Sequence, residues 1–312
     1  MPDERAKPLD ELTIWIDDRL AEVGIRRRSR PAVVRSWARA LTVSFDTDRG
    51  RLWAKEVPEI FAHEIAVTTL LADLDPGSVP PVVAADAATG RVITEHVEGA
   101  LLKSLRDRGD AWTATLSRLA EIQRVLSVEP TALAVAGVVA VPIRAIADAV
   151  PRLLADDRLL MTGQPDGLSA REVADLRRRA TALIECCHAL ADSGVPDSLE
   201  HGDLTADEVI LGDMGPVFLD WSDGSITHPF LSAASLLADG AIGDDPGGAY
   251  LGPWLTAGVV TDETGRAALA NAATVLPLHL AGLYADRILP ALGGDTRTDP
   301  KVISALRTLV AR

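Results

Sequence analysis

The sequence predicts an α+β protein in two lobes: a small β-rich lobe over residues 1–97 and a larger, mainly α-helical one over residues 98–312. Three observations carry this. Alternation of apolar and polar residues, the period of a half-buried strand, is concentrated in the first third of the chain. Beyond Gly99 the apolar residues recur at helical spacing. A single short apolar insert, Val209–Leu211 with Val217–Asp220, interrupts those later helices as a hairpin would. With 312 residues and 47% hydrophobic content the chain can fill a sizeable core, and with 4% aromatics that core must be mostly Ala, Val, Leu and Ile.

In order along the chain, Leu12, Ile14, Ile16, Leu20 and Val23 give a mostly helical pattern over 10–23. A short strand falls near Ala32–Arg35. Leu41, Val43 and Phe45 alternate with Thr42 and Ser44 as a second strand, the 46–50 cluster is a turn, and Arg51–Val57 is the third strand. Pro58 suits the start of a helix whose stripe is Ile60, Phe61, Ile65, Leu70, Leu71 and Leu74. Two more short strands, about 81–85 and 91–96, flank the turn Ala88-Thr89-Gly90. Helices are expected at about 101–107, 110–128, 141–155 and 170–192, with 127–141 and 156–168 as connections. The joint between lobes is expected near Thr94–Gly99.

The net charge of −14 argues against nucleic acid and anionic membrane surfaces as partners. It is compatible with a cationic small molecule and equally with simple solubility. Cys186 and Cys187 are adjacent, which suits neither a structural disulfide nor a metal site, so a reduced pair in a cytoplasmic protein is expected. The first twenty residues lack the apolar core of a signal peptide, and no run approaching a membrane span is expected. No feature sets an oligomeric state.

The chemistry-bearing residues cluster at His201-Gly202-Asp203 and at Asp220, on loops flanking the short hairpin. A carboxylate ending an apolar strand costs free energy unless a cation or donors satisfy it, which marks Asp220. A capping and a turn aspartate are the alternative for the pair. On the strand 51–57, Lys55 shares its face with Trp53 and Val57. An ammonium projecting from an apolar face calls for an anion, and Glu64 on the next helix is in reach. A lysine snorkelling over its neighbours is the alternative.

Lys55, Glu64, His201-Gly202-Asp203 and Asp220, in this order and spacing, resemble the aminoglycoside phosphotransferases and their choline-kinase and protein-kinase-like relatives, from about Ala32 to the helices beyond Asp220. Asp220-Trp221-Ser222-Asp223 and His228-Pro229-Phe230 are similar to members with Asp-Trp-Ser/Gly-Asp and His-Pro-Phe after the metal aspartate. The resemblance implies a two-lobed protein-kinase-like fold and an ATP- and Mg2+-dependent transfer of phosphate to a small-molecule hydroxyl. It implies that Asp203 accepts the hydroxyl proton, that Asp220 holds magnesium, and that Lys55, steadied by Glu64, binds the α- and β-phosphates. The 94–99 segment, with Glu95 and Val97, would lie against adenine. Two positions depart from the family pattern. Glu208 stands where asparagine is usual, and as a hard oxygen donor it is a second candidate metal ligand. The phosphate-covering turn, Ser36 to Ala40, contains no glycine, leaving backbone amides and the Ser36 hydroxyl to face phosphate; Trp37 is read as packing and Arg39 as solvated.

Other candidates read as structural. His63, His188 and His279 lack metal-ligand spacing, and 244–248 reads as a solvated loop that could otherwise rim an acceptor pocket. The acceptor implied is an antibiotic or another amino-bearing metabolite. A housekeeping kinase for choline, a sugar or homoserine, and a weak pseudokinase that binds nucleotide or ligand, are the alternatives.

Overall fold

The structure, a computed structural model, describes residues 6–105, 107–292, 298 and 300–310, with residues 6–8 described by their backbone only. Helix α1 (Ala6–Glu22) turns Leu12, Trp15, Ile16 and Leu20, spaced at i, i+3, i+4 and i+8, to one side. Strands β1 (Ala32–Trp37), β2 (Ala40–Thr47) and β3 (Gly50–Glu56) follow, then a 3-10 turn begun by Pro58 and helix α2 (His63–Leu74). With β4 (Val82–Asp86) and β5 (Arg91–Glu95) they build an antiparallel sheet in the order β1-β2-β3-β5-β4. Val43, Phe45, Leu52, Ala54 and Ile93 pack with the apolar face of α1. Alternation then puts Trp53 and Lys55 on the opposite face of the sheet.

The helix expected at 101–107 is instead strand β6 (Ala100–Leu101) followed by a 3-10 turn, Leu102–Leu105. The reason is a backbone approach: β6 pairs with a later strand, Ala100 opposite Leu211, and a Cβ on Gly99 would lie 2.2 Å from the Leu211 carbonyl oxygen. The chain continues through α3 (Gly109–Leu126), α4 (Pro130–Val135), α5 (Ile143–Leu153) and α6 (Ala170–Ala191). Helix α4 sits in what was expected to be plain connection. At the start of α6 the Ser169 and Glu172 side chains each accept a hydrogen bond from the other residue's amide, a capping box.

Strand β7 (Ser198–Glu200) precedes the hairpin β8 (Val209–Gly212) and β9 (Gly215–Phe218), and β10 (Ser225–Thr227) pairs back with β7. Helices α7 (Phe230–Ala238), α8 (Pro246–Thr256) and α9 (Asp262–Leu283) lead into a π-helical turn, Tyr284–Ile288, then α10 (Leu289–Ala291) and α11 (Pro300–Val310). The 244–248 segment is no plain loop. Asp245 caps α8 by accepting the Gly248 amide at 3.0 Å, and Pro246 occupies its first turn. Residues Asp262–Ala291 are, by length and composition, long and apolar enough to cross a membrane, where no such run was expected; 56% of the most apolar 18-residue window in it is buried inside the protein. Helix α9 packs against α5, α6, α7, α8 and α11.

Two units result. The first comprises Met1–Ser104 with Glu208–Ser222, and the second Leu105–Asp207 with Asp223–Arg312. The β8–β9 hairpin thus groups with the first sheet rather than with the helices that flank it in sequence.

In the second unit Phe230 anchors an aromatic cluster, its ring centroid 5.1 Å from Tyr250, 5.6 Å from Trp254 and 5.0 Å from His228. His228 accepts the Phe230 amide on Nδ1 at 3.2 Å, and its Nε2 lies 3.0 Å from the Ser193 hydroxyl. These contacts fix a neutral ring, and burial pushes its pKa down to about 3. An unfolded chain, with a histidine pKa of about 6.5, therefore binds more protons than the folded one between pH ~6.5 and ~3. Stability should rise with pH through this window and fall on acidification. Replacing His228 by Asn should flatten the dependence by about 1.4 kcal/mol per pH unit, measured by urea unfolding between pH 7 and 4.5.

Candidate active site

Three side chains of the first unit converge. Lys55 Nζ donates to Glu64 Oε1 at 2.6 Å and to Asp220 Oδ1 at 2.9 Å, which joins β3, α2 and the segment after β9. Glu64 is nearly closed off, its side chain 6% exposed, while Asp220 is 31% exposed. Burial of Lys55 disfavours its charge, but the two carboxylates outweigh this and raise the ammonium above its ordinary pKa. Asp220 has a φ of 56°, a left-handed conformation rarely adopted without glycine. The turn is held just upstream, where the Leu219 amide donates to the Glu208 carbonyl at 2.9 Å.

These residues line a cavity of about 380 Å3, within the range of small-molecule sites. Glu95, Val97 and Glu208 line it too. Of the residues singled out in this unit, Ser36 does not line it; its strand neighbours Arg35 and Trp37 do. Sequence reasoning missed Arg35. The Arg35 guanidinium lies 4.1 Å from the centre of the Trp37 ring, and Trp37 is 43% exposed rather than packed away. Arg39, expected in solvent, is buried, with its guanidinium 4.6 Å from the Phe61 ring and 5.4 Å from that of Trp37. Stacking between two aromatic faces compensates part of its desolvation. Among the described residues no three His, Cys, Asp or Glu side chains gather as a metal site.

In the second unit His201-Gly202-Asp203 leaves the end of β7. Gly202 has a φ of 86°, and a Cβ there would lie 2.3 Å from the Asp223 carbonyl oxygen, so both conformation and space require glycine. Asp203 is half-exposed and takes a hydrogen bond from Lys301 Nζ on α11 at 2.7 Å. Sequence reasoning missed Lys301. A cavity of about 20 Å3 adjoins the pair and is lined by Asp223 and, from the α9 side, Leu280 and Tyr284.

Behind the loop lies a buried polar network that the sequence did not announce. Gln123 donates to the Leu199 and Pro229 carbonyls and to Ser232, at 2.8, 3.2 and 3.2 Å, and accepts the Tyr250 hydroxyl at 2.7 Å. Glu200 and His279 meet inside it at 3.1 Å, so His279 packs as expected but against a carboxylate. His63 is also buried, whereas His188 is exposed.

A β-rich unit bearing a Lys-Glu-Asp triad, and a helical unit bearing a His-Gly-Asp turn, define a kinase-like α+β fold. Residues 27–270 match the model of APH, the phosphotransferase enzyme family. The chain belongs to that family and is a phosphotransferase by its membership. Comparison with curated proteins gives no significant match. Among solved structures, the GDP complex of aminoglycoside 2'-phosphotransferase-IIIa is similar at TM-score 0.64 and 16% identity, over 96% of this chain and 98% of that one. The macrolide 2'-phosphotransferase type I gives 0.61 and 15%, over 96% of each chain. A choline kinase from Streptococcus pneumoniae gives 0.58 and 14%, over 96% and 99%. At these identities the likeness is one of fold.

The triad sets a stability expectation. Lys55→Met strands a buried Glu64 carboxylate and should cost about 3–5 kcal/mol. Adding Glu64→Gln should recover part of that loss, read as a positive coupling in a double-mutant cycle by chemical denaturation.

Proposed function

We propose that the protein transfers the γ-phosphate of ATP, with magnesium, to a hydroxyl of a small molecule. The observation that carries this is Lys55, held charged between Glu64 and Asp220 on the wall of a 380 Å3 cavity. In this reading Lys55 neutralises the α- and β-phosphates and Glu64 sets its direction. Glu95 and His96 already give their amides to the Pro81 and Arg51 carbonyls, at 2.9 and 3.1 Å, so the proposal assigns the adenine edge to Val97.

The carboxylates fit a magnesium ion. Asp220 and Glu208 are hard oxygen donors lining one cavity, and magnesium is commonly held by one or two carboxylates, with phosphates and water completing the shell. A bound ion would neutralise phosphate charge. Asp203 orients the acceptor hydroxyl and takes its proton, and Lys301 is the cation that balances Asp203 in the structure described. The acceptor is a small alcohol, with amino-bearing antibiotics the leading class and a choline-, sugar- or homoserine-type metabolite the alternative. A cytoplasmic setting belongs to the same proposal, supported by two free cysteines, of which Cys187 is pushed up to about 12 by burial. Glu208, where the family pattern has asparagine, favours a second reading, a nucleotide-binding protein with little turnover.

Two variants test the reading. Asp203→Ala should leave nucleotide binding within about twofold and lower turnover by about 10²–10⁴-fold. Turnover that survives within a few-fold would remove Asp203 from this role. Glu208→Asn should retain or raise the rate and move its magnesium dependence to higher concentration, while Glu208→Ala loses activity. Initial rates against magnesium at fixed ATP compare the three proteins. Superimposable curves would show that residue 208 does not touch the metal, and no rate in any, across a broad acceptor panel, would favour the second reading.

A further inference from the structure

Glu200 immediately precedes the His201-Gly202-Asp203 turn, has no part in the reaction above, and is 1% exposed. A carboxylate this deep costs free energy unless several donors reach it, and packing at the end of a three-residue strand could be met by an apolar side chain. Its hydrogen-bond donors come from two helices. The Ser232 hydroxyl on α7 donates to Oε1 at 3.3 Å, and His279 Nε2 on α9 lies 3.1 Å from Oε2. Ser232 in turn accepts the His201 amide at 2.9 Å. The carboxylate is therefore tied to the backbone of the turn through one hydroxyl, at the His201 amide. Burial opposes its charge, while His279, the Gly202 amide and His201 together hold the carboxyl below its ordinary range.

We propose that Glu200 is a positioning residue for phosphoryl transfer, fixing the backbone from which Asp203 projects and referring it, through His279, to helix α9. The reach to α9 matters because that helix and the π-helical turn following it supply Leu280, Leu283, Tyr284 and Ile288 to the small cavity beside Asp203. The turn and a wall of that cavity are thus registered to the same carboxylate. Positioning to within about an ångström is the scale on which transfer rates change by as much as 10²-fold. This inference rests on the reading of Asp203 as the proton acceptor.

The test compares Glu200→Gln, Glu200→Asp and Ser232→Ala with the unaltered full chain. Glu200→Gln, the same shape without the charge, should lower kcat about 10–100-fold while the KM for ATP stays within twofold, because Lys55 and Asp220 are untouched. Glu200→Asp should restore part of the rate. Ser232→Ala, which removes the hydroxyl linking Glu200 to the His201 amide, and a Gln123 contact with it, but leaves the Glu200–His279 pair, should lower kcat by less than Glu200→Gln does, and it serves if Glu200→Gln does not fold. Amide hydrogen exchange should quicken at 201–203 in each variant that slows turnover and stay unchanged on β3. That measurement needs no acceptor, so it decides the anchoring even if the Asp203 reading fails, and that failure shows separately as turnover surviving in Asp203→Ala. Unchanged kcat with unchanged exchange at 201–203 would overturn the proposal. So would faster exchange spread evenly through the second unit with kcat per folded molecule unchanged, since that is the signature of a merely structural residue.

Discussion

An ammonium taken out of water must be compensated where it stands, and the first unit is arranged around that requirement. Lys55 meets its two carboxylates from an adjoining helix and from a hairpin more than a hundred and fifty residues downstream. The sheet makes this possible by dividing its faces. Leu52 and Ala54 face the α1 core, which commits Trp53 and Lys55 to the cavity side. Remove the apolar packing of α1 and the register of β3, and with it the aim of Lys55, is no longer defined.

The second unit solves a different problem. Its loop sets a half-exposed carboxylate, Asp203, close in sequence to one sealed away, Glu200. The first is balanced at the surface by one lysine, the second by hydroxyl and imidazole groups in the interior. Asp203 stands three residues beyond Glu200, and since β7 is buried at every position it is the turn at Gly202, not strand alternation, that separates their exposures.

The sequence made Lys55 and Asp220 legible because each breaks a local rule, a charge on an apolar face and an acid ending an apolar strand, and Glu64 legible as the acid on the next helix within reach of Lys55. The five-stranded sheet was legible through alternation and turn residues. The failures have equally physical causes. Strands β6, β7 and β10 are two or three residues long, too short to show a period, and β6 exists because Gly99 lets the chain approach Leu211. Arg39 looks like a solvated residue until two aromatic rings close on it. Glu200, Ser232 and His279 are polar residues scattered over eighty positions, and only tertiary packing reveals that they meet. Lys301 is likewise brought to Asp203 from 98 residues away.

The return of Glu208–Ser222 to the first unit has a consequence for the life of the chain before it is complete. Domains generally fold as units, amino-terminal ones first during synthesis. Here the amino-terminal sheet can gather on α1 early, but Asp220 and the hairpin that lines its cavity leave the ribosome only after the whole of the second unit's first segment. Until then Lys55 has Glu64 alone for company, and a fragment ending near Ser104 lacks one wall of the pocket it begins. The gene cannot be cut between the two units in a single place, so the polypeptide crosses between them three times and neither is heritable as a separable module.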